Sequence, residues 1–470
     1  MAGSVALLMA RPRFQAPNGT QDILPPASAR WQALLATYSS VVGRAGYGLV
    51  QSPMFEEIGV FQRESEGADA VRKEMYDFED KGGRHVALRP EGTASIVRAF
   101  VQHRPQTPWK VWYATPAFRY ERVQAGRYRQ HHQVGLEALG SPDPDLDVEV
   151  ISIGWEFLRA LGLREIELQV NTMGTAEDRL RYVEVLRSWL TDHRADLDED
   201  DREKVDYHPM RVLDSKRRAT RAVTDHAPAI ADHLSPSSEL HFERVIAGLR
   251  AAGIPFVSAP RLVRGFDYYT HTTFEFVPTL VENAQATILG GGRYDGLVEE
   301  LGGPPTPGVG FGSGIERLLI ACDAEAVFEA AGSSIDVFVI DVTGGEQARD
   351  ITAGLRAAGL RCDRAFDQRA MRAQMKAADR SGAAYAVIVG DDELASDTVT
   401  VRPLRADFGA AQESFPRSDL LHRLRTLICE APAAKPTTDE TSDPGGESAA
   451  GAASSAPTNV GDHRNIEEQL

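Results

Sequence analysis

Cysteine is scarce in this chain of 470 residues, which contains three. Cys322, Cys362 and Cys429 stand far apart, and no CxxC pair or Cys/His cluster accompanies them. This usage argues against a disulfide framework and gives no sign of a structural zinc site. It is typical of a reducing cytosol, and we expect the three thiols to be small buried apolar side chains.

A long apolar run is also missing, so the sequence predicts no membrane-spanning helix. The apolar stretch Val5–Ala10 is short and follows no basic segment, which argues against a secretory signal. We therefore expect a cytoplasmic protein. Basic residues are outnumbered, with 51 Lys and Arg against 68 Asp and Glu, giving a formal net charge of −17. Such a charge disfavours indiscriminate binding to nucleic acid, but a local basic surface is compatible with a specific RNA contact.

The length predicts two or three domains. The last forty or so residues have almost no large apolar side chain, so they cannot bury enough surface to offset the entropy of ordering. A charged, helical pattern without glycine runs from Thr175 to Ala247. Strands and helices alternate after Ile335, which predicts a largely parallel sheet. We predict a flexible N-terminus (1–13), a first domain (14–325) with a helical insertion (about 175–249), an α/β domain (335–430) and a disordered acidic tail (431–470).

Two strand-like runs, Lys110–Glu121 and Arg127–Gly140, predict an antiparallel hairpin. Side chains two apart share a sheet face, so one face of this hairpin is polar or glycine. That face carries Arg119, Glu121, His131, Gln133, Gly135 and Glu137. A solvated face explains the pattern about as well as a binding site does. The flanking aromatic residues favour a site: Trp112, Tyr113, Phe118 and Tyr128.

Polar residues interrupt a second predicted strand, which runs from Arg261 to Phe276. Arg264, Asp267 and two tyrosines fall within six residues, which is unusual for a buried strand. A surface edge strand is an equally good interpretation. Strand alternation would place Tyr268 on the face of Arg264 and Tyr269 on the opposite face, so both line one pocket only if the strand is irregular near Gly265.

At these residues the chain resembles the histidyl members of the class II aminoacyl-tRNA synthetases. The second class II motif is matched by FRYERVQAGRYRQHHQVGLEALG (118–140) and the third by VGFGSGIERLL (309–319). Two motifs specific to histidyl enzymes are matched by LVRGFDYYT (262–270) and GGGRYDGLVEELGG (290–303). GYGLVQSPMFEE (46–57) is similar to the first class II motif, and RPEGT (89–93) completes the set. Six motifs in the right order make a chance match negligible.

The resemblance implies an α+β catalytic core over 14–325, with a mainly antiparallel sheet flanked by helices and a helical insertion. It implies a C-terminal α/β anticodon-binding domain, in which MRAQMKAADRSGAAYAVIVGDDE (371–393) is a typical stretch. The implied activity is ATP-dependent ligation of L-histidine to tRNA(His) through a histidyl-adenylate. The implied partners are ATP with Mg²⁺, histidine, tRNA(His) and a second copy of the chain with Pro53 at the interface. No organic prosthetic group is implied.

The resemblance also implies roles for the charged residues around the phosphates of ATP. Arg119 and Arg264 are expected to reach the α-phosphate from two sides, where guanidinium groups stabilise developing charge. Arg317 is expected at the γ-phosphate and adenine, and Glu121 near Mg²⁺. His131 stands where the family typically has a phenylalanine stacked on adenine. We therefore expect ATP binding to vary with pH as His131 titrates.

Six further residues correspond to positions that bind histidine in the family. Glu91, Thr93 and Gln133 correspond to positions that hold its ammonium and carboxylate groups. Glu137, Tyr268 and Tyr269 correspond to the imidazole pocket, where a carboxylate can accept the ring N–H. Plainer interpretations exist: a glutamate such as Glu91 commonly caps a helix, here one starting at Gly92, and Tyr294 is expected to be a turn aromatic packed on the core.

The main alternative is a non-catalytic paralogue that regulates histidine biosynthesis by binding histidine. Members of that group generally lack the anticodon-binding domain and lose the catalytic arginines. Arg119, Arg264 and Arg317 are all present here, which favours the enzyme. The basic residues of the predicted helix near 371 fit a solvated face better than an RNA contact by themselves: Arg369, Arg372, Lys376 and Arg380.

Overall fold

The structure is a computed structural model that describes residues 14–62, 74–263, 268–281, 287–329, 335–405 and 411–430. Arg264 and the predicted terminal segments 1–13 and 431–470 lie outside the described residues. The chain divides into two compact units between positions 331 and 332. No helix in the described ranges is both long and apolar enough to span a membrane.

The first unit combines strands and helices that alternate along the chain. Its strands are β1 (Gly48–Leu49), β2 (Phe55–Glu57), β3 (Tyr76–Glu79), β4 (His85–Leu88), β5 (Trp109–Phe118), β6 (Gln130–Leu139), β7 (Ile166–Thr172), β8 (Val257–Ser258), β9 (Thr270–Pro278), β10 (Leu289–Arg293) and β11 (Gly308–Gly314). Its helices are α1 (Ala27–Arg44), α2 (Thr93–His103), α3 (Pro144–Ala160), α4 (Ala176–Asp192), α5 (Glu199–Arg202), α6 (Lys204–Tyr207), α7 (Pro209–Leu213), α8 (Arg218–Thr224), α9 (Pro236–Ala251), α10 (Leu297–Glu300) and α11 (Ile315–Ala324).

The main sheet has the strand order β1-β5-β6-β11-β10-β9-β7-β8 among the described residues. The inner pairs are antiparallel, and the pairs at the two edges, β1/β5 and β7/β8, are parallel. The predicted, mainly antiparallel core is thus confirmed. One face is apolar and packs on α1 and α3 through residues such as Tyr38, Phe157 and Phe311. The other face is left for polar chemistry, as an antiparallel sheet permits.

The predicted strand limits are wrong at two places. β5 ends at Phe118, so Arg119 and Glu121 follow the strand instead of lying in it. β9 begins at Thr270, nine residues after the predicted start. Ahead of it, the Asn171 side-chain amide donates to the carbonyl oxygens of Pro260 and Leu262, at 3.3 and 3.0 Å. Because a side chain satisfies these backbone groups, the segment needs no neighbouring strand.

The insertion is helical, as predicted, and has its own apolar core around Tyr182, Leu186 and Val212. A capping box at Thr175 starts α4. Asp201 is fully buried near the loop between α7 and α8, and its carboxylate accepts hydrogen bonds from Ser215, at 2.5 Å, and Thr220, at 2.8 Å. This carboxylate therefore helps to fix a loop of the insertion, together with the ion pairs that Arg217 makes with Asp198 and Asp200.

The second unit is an α/β domain with its own sheet, in the order β13-β12-β14-β15-β16. The strands are β12 (Val337–Asp341), β13 (Cys362–Arg364), β14 (Tyr385–Val389), β15 (Thr398–Pro403) and β16 (Glu413–Pro416), and the helices are α12 (Glu346–Ala357), α13 (Met371–Arg380), α14 (Asp391–Ser396) and α15 (Leu420–Glu430). The sheet was predicted to be largely parallel but is mixed, because β14/β15 and β15/β16 are antiparallel hairpin pairs. Cys322 and Cys362 are buried as expected, whereas Cys429 is exposed.

Candidate active site

A cavity of about 920 Å³ opens on the polar face of the main sheet. It is lined by Glu91, Thr93, Arg119, Glu121, His131, Gln133, Tyr268, Tyr269 and Arg317, all of which were predicted to be site residues. The structure thus brings together groups that are more than two hundred positions apart in the sequence. Of the other predicted residues, Glu137 lies behind the cavity wall and Arg264 lies outside the described residues.

Glu91 caps the helix that follows it. Its Oε2 accepts from the backbone N–H of Thr93 at 2.6 Å, and its Oε1 accepts from that of Ala94 at 2.9 Å. The capping interpretation is therefore confirmed, although α2 starts at Thr93 and not at Gly92. Because Glu91 also lines the cavity, the cap holds a negative charge at a fixed place in its wall.

Glu137 of β6 is fully buried and accepts three hydroxyl hydrogen bonds. Thr93 Oγ1 and Tyr113 OH donate to its Oε1 at 2.7 and 3.3 Å, and Tyr294 OH donates to its Oε2 at 2.5 Å. Burial raises the pKa of Glu137 to about 8, although these hydroxyls favour the ionised form. Thr93 and Tyr113, which donate to this carboxyl, both line the cavity, so the carboxyl lies one layer behind the wall.

Tyr294 is buried as predicted for a core aromatic, but its hydroxyl has a polar role that the sequence did not indicate. Tyr113 was noted only as a flanking aromatic, and it makes the third contact with Glu137. Burial raises the pKa of both tyrosines well above the usual range, so both hydroxyls stay protonated and donate. The available signal for Tyr294 was its position directly after the glycine run 290–292, which was expected to approach the substrate or to turn and forms part of β10.

Glycine at position 310 leaves room for the Glu137 carboxyl. The two residues face each other in the β6/β11 register. A β-carbon at 310 would lie 1.9 Å from Oε2 of Glu137 and 2.4 Å from the carbonyl oxygen of Leu136. Both approaches are far below van der Waals contact, so only a residue without a side chain fits here.

Arg119 and Glu121 stay close together although β5 ends before them. Arg119 Nε donates to the Pro90 carbonyl at 2.9 Å, and its Nη1 lies 4.0 Å from Oε1 of Glu121. Arg127 Nε lies 2.8 Å from Oε2 of Glu121, as an ion pair that lacks the geometry of a hydrogen bond. Among described residues, no three His, Cys, Asp or Glu side chains form a cluster that could bind a metal ion.

Arg317 of α11 approaches the cavity from the far side. Its Nε donates to the carbonyl oxygen of Gly126 at 3.1 Å, and its Nη1 donates to that of Thr287 at 3.2 Å. His131 lies between the arginines of the site. Burial, followed by the positive charges of Arg119 and Arg317, lowers the pKa of His131 to about 3. The expected titration of His131 near neutral pH is therefore wrong, because its imidazole is already neutral there.

Tyr268 and Tyr269 both line the cavity, with ring centroids 4.6 Å apart. They precede β9, so strand alternation does not separate their side chains. The β9/β10 register shifts between Gly292 and Arg293, and His271 takes a positive φ of 43° at this irregularity. This irregularity lies after the two tyrosines, whereas Gly265, where an irregularity was predicted, lies outside the described residues.

The insertion supplies part of the cavity wall, which the sequence did not predict. Ser215, Lys216 and Arg221 line the cavity, together with Arg261. Arg261 pairs with Asp225 at the end of α8. The sequence feature that could have indicated this role is the basic run KRRATR (216–221) within an acidic segment.

Comparison with known proteins agrees with this architecture. A family model described as histidyl-tRNA synthetase matches residues 19–318, and one described as anticodon binding domain matches residues 336–427. A histidine–tRNA ligase of Rhodococcus erythropolis is 46% identical over 421 residues, covering 88% of this chain and 98% of that protein. One from Geobacillus kaustophilus is 44% identical over 425 residues, covering 88% and 99%.

A solved structure gives the same result. The crystal structure of apo S. aureus histidyl-tRNA synthetase matches with a TM-score of 0.73 at 33% sequence identity, covering 88% of this chain and 100% of that chain. The first family model alone spans more than half of the chain. The chain therefore belongs to the histidyl-tRNA synthetase family.

Proposed function

We propose that the protein ligates L-histidine to tRNA(His) in two steps. In the first step, a carboxylate oxygen of histidine attacks the α-phosphorus of ATP, forming the histidyl-adenylate as the bond to diphosphate breaks. In the second step, a terminal ribose hydroxyl of the tRNA attacks the carbonyl carbon, and AMP leaves. The hydroxyl proton passes to a phosphate oxygen of the AMP or to solvent.

The first step needs no general base, because the histidine carboxylate is ionised at neutral pH. Its barrier is lowered by positioning and by charge stabilisation. Arg119 and Arg317, which are nearly two hundred positions apart in the sequence, line one cavity, and this observation carries the proposal. We assign Arg119 to the α-phosphate and Arg317 to the γ-phosphate and adenine face. Arg264 completes the α-phosphate contact in this proposal, and neutral His131 stacks on adenine.

Histidine selection is assigned to the carboxyl of Glu137 and to Tyr268 and Tyr269, with Glu91, Thr93 and Gln133 at the ammonium and carboxylate groups. A site built around buried hydrogen-bonding groups rejects apolar amino acids, since such ligands leave those groups without partners. Three hydroxyls already orient Glu137, and this arrangement supports its role as acceptor for an imidazole N–H.

We propose that Glu121 would hold Mg²⁺, which would supply positive charge to neutralise the phosphates of ATP. Mg²⁺ commonly takes one or two carboxylates together with phosphate and water oxygens. The Glu121 carboxylate lies in the cavity wall near Arg119, the residue assigned to the α-phosphate. Glu74 is a neighbour of Glu121. Burial and then the negative charge of Glu121 raise the pKa of Glu74.

A homodimer is proposed from the surface around Pro53. The apolar side chains of Leu49, Met54 and Phe55 are each more than half exposed. Their exposure to water is unfavourable unless another surface covers them. Arg89 ties this surface to the site: its Nη1 donates to the Pro53 carbonyl at 3.1 Å, and its Nε donates to the Pro116 carbonyl at 2.8 Å. A cytoplasmic location stays a prediction.

Histidine-dependent exchange of labelled diphosphate into ATP tests the first step, and charging of tRNA(His) tests the second. We expect both activities, with histidine preferred over other amino acids. A protein that binds histidine but shows no exchange would be the regulatory paralogue instead. Retention of Arg119, Arg264 and Arg317 and of the second domain favours the enzyme.

A further inference from the structure

Arg293, the last residue of β10, is a fully buried cation whose five N–H groups all have acceptors. Its Nε donates to the Asp147 carboxylate at 3.0 Å, and one Nη2 N–H donates to the same carboxylate. The other Nη2 N–H donates to the Asp143 carbonyl at 3.2 Å. Nη1 donates to the Ser141 carbonyl at 3.0 Å and to Oδ1 of Asp295 at 3.3 Å.

These acceptors belong to two chain segments. Ser141 and Asp143 lie between β6 and α3, Asp147 lies in the first turn of α3, and β6 carries Glu137 four residues before Ser141. The second segment is the end of β10 and the two residues after it, in which Tyr294 lies between Arg293 and its acceptor Asp295. The guanidinium therefore joins the two segments that carry the donor and the acceptor of the Tyr294–Glu137 hydrogen bond.

The Tyr294 ring is held from a second direction. Its backbone N–H donates to the Gly308 carbonyl at 2.7 Å, and a β-carbon at 308 would lie 2.3 Å from the ring. The Gly308 N–H donates in turn to Oδ1 of Asp295 at 3.3 Å, the same oxygen that accepts from Arg293. Rotation of the ring away from Glu137 thus requires the Arg293 network to rearrange.

A gain in stability does not explain why an arginine is buried here, because the desolvation of a buried ion pair offsets most of the attraction between its charges. The distinctive property of a guanidinium is geometric: a planar fork fixes several acceptors at once, and lysine cannot replace it in that role. We propose that Arg293 is a positioning residue for amino-acid selection, holding Tyr294 against Glu137 so that the carboxyl faces the histidine side chain. This inference rests on the proposed function.

Arg293→Lys keeps the charge but cannot reach four acceptor residues at once. We expect the Kd for histidine, measured by calorimetry without ATP, and the KM in diphosphate exchange to rise about ten-fold, which is about the net contribution of one well-formed hydrogen bond. The kcat at saturating histidine is expected to change by less than about two-fold, since the arginines at the phosphates are untouched.

Arg30→Lys is the matched control. Arg30 also ties two segments, donating to the Phe328 carbonyl at 2.7 Å and to Asp323 at 2.5 Å, and it does not line the cavity. We expect this variant to bind histidine as the wild type does. An equal loss of histidine affinity in the two variants would overturn the proposal, because it would reflect general loosening of the fold.

A double-mutant cycle with Tyr294→Phe separates positioning from support of the fold. If Arg293 acts through the tyrosine hydroxyl, Arg293→Lys weakens histidine binding little further once that hydroxyl is gone. An undiminished ten-fold effect in the Tyr294→Phe background would overturn the inference. Should the lysine variant fail to fold, Asp147→Asn takes its place in the same cycle. Absence of exchange in the wild type would overturn the proposed function, while the histidine Kd values still decide the role of Arg293.

Discussion

Thr93 donates a 2.7 Å hydrogen bond from its Oγ1 to Oε1 of Glu137, joining the first residue of α2 to the C-terminal end of β6. Thr93 faces the cavity and Glu137 lies behind it. A ligand that displaces the threonine hydroxyl therefore gains direct access to a buried carboxyl. The protonation of that carboxyl in the empty site then matters for both stability and binding.

Glu137→Gln should change how stability depends on pH. Burial raises the pKa of Glu137 from its ordinary 4.5 to about 8. Between these two pH values the folded protein holds a proton that the unfolded chain has lost. The stability that the protonated Glu137 contributes is therefore fully present below about pH 4.5 and is lost as pH rises through 8. Relative to Glu137→Gln, the wild-type free energy of unfolding should fall by up to about 1.4 kcal/mol per pH unit in that window. Urea unfolding of the ligand-free proteins measures this, and parallel profiles would contradict it.

His131→Phe should leave the pH dependence of ATP binding unchanged near neutrality. Burial and the flanking arginines lower the pKa of His131 to about 3, so its imidazole is neutral wherever the protein is assayed. The KM for ATP in diphosphate exchange, measured between about pH 6 and pH 8, should follow the same curve in both proteins. A step near pH 6.5 in the wild type that disappears in the phenylalanine variant would show that His131 titrates there.

Arg264→Ala should lower the rate of adenylate formation about 10²- to 10³-fold, as removal of a group that stabilises transition-state charge does. The Kd for histidine should change little, because the arginine is assigned to the phosphate and not to the amino acid. Single-turnover kinetics give the rate and calorimetry gives the Kd. Equal losses in both would mean that Arg264 is a binding group.

Lys216→Ala with Arg221→Ala should weaken tRNA use without affecting diphosphate exchange. Both side chains line the cavity from the insertion, where the 3′ end of the tRNA must enter to be charged. Two lost phosphate contacts should raise the KM for tRNA about ten-fold and reduce the salt slope by about two. Arg218→Ala is the control, since Arg218 is exposed on the same helix and does not line the cavity. The same loss in the control would point to charge in general.

Removal of the chain from Ile335 onward should leave adenylate formation and weaken tRNA charging. The first unit holds every described residue assigned to histidine and ATP, whereas the anticodon-binding domain is matched only after residue 335. The ratio of charging to exchange, measured for both lengths of the protein, gives the result. Unchanged charging kinetics would contradict the assignment of the second domain to tRNA.

The sequence predicted the hairpin of the site well, because alternation within a strand is a local property. It did not predict where strands end: Asn171 stops the strand expected from Arg261, and that contact spans about ninety positions. Motif resemblance identified nine residues of the cavity wall. It missed Tyr113 and Tyr294 as partners of Glu137, since a hydroxyl contact between two particular side chains leaves no periodic pattern in the sequence.

The contribution of the insertion to the cavity wall could not be predicted from the sequence either. A basic run in an acidic segment looks the same whether it faces solvent or a cavity, and the contacts of Ser215 and Thr220 with Asp201, which help to hold the loop, do not show in the sequence. Likewise, a histidine at 131 gives no hint of its pKa, which depends on burial and then on arginines from other elements.

The space above Gly310 also limits how this enzyme can change. A β-carbon there would collide with the carboxyl of Glu137 and, at 2.4 Å, with the backbone carbonyl oxygen of Leu136, and no change at 137 removes the second collision. Position 310 is therefore closed to substitution, and a library at this position would return mostly inactive proteins. A pocket for amino acids with a different outline has to be built from other positions, while the chemistry at the phosphates stays in place.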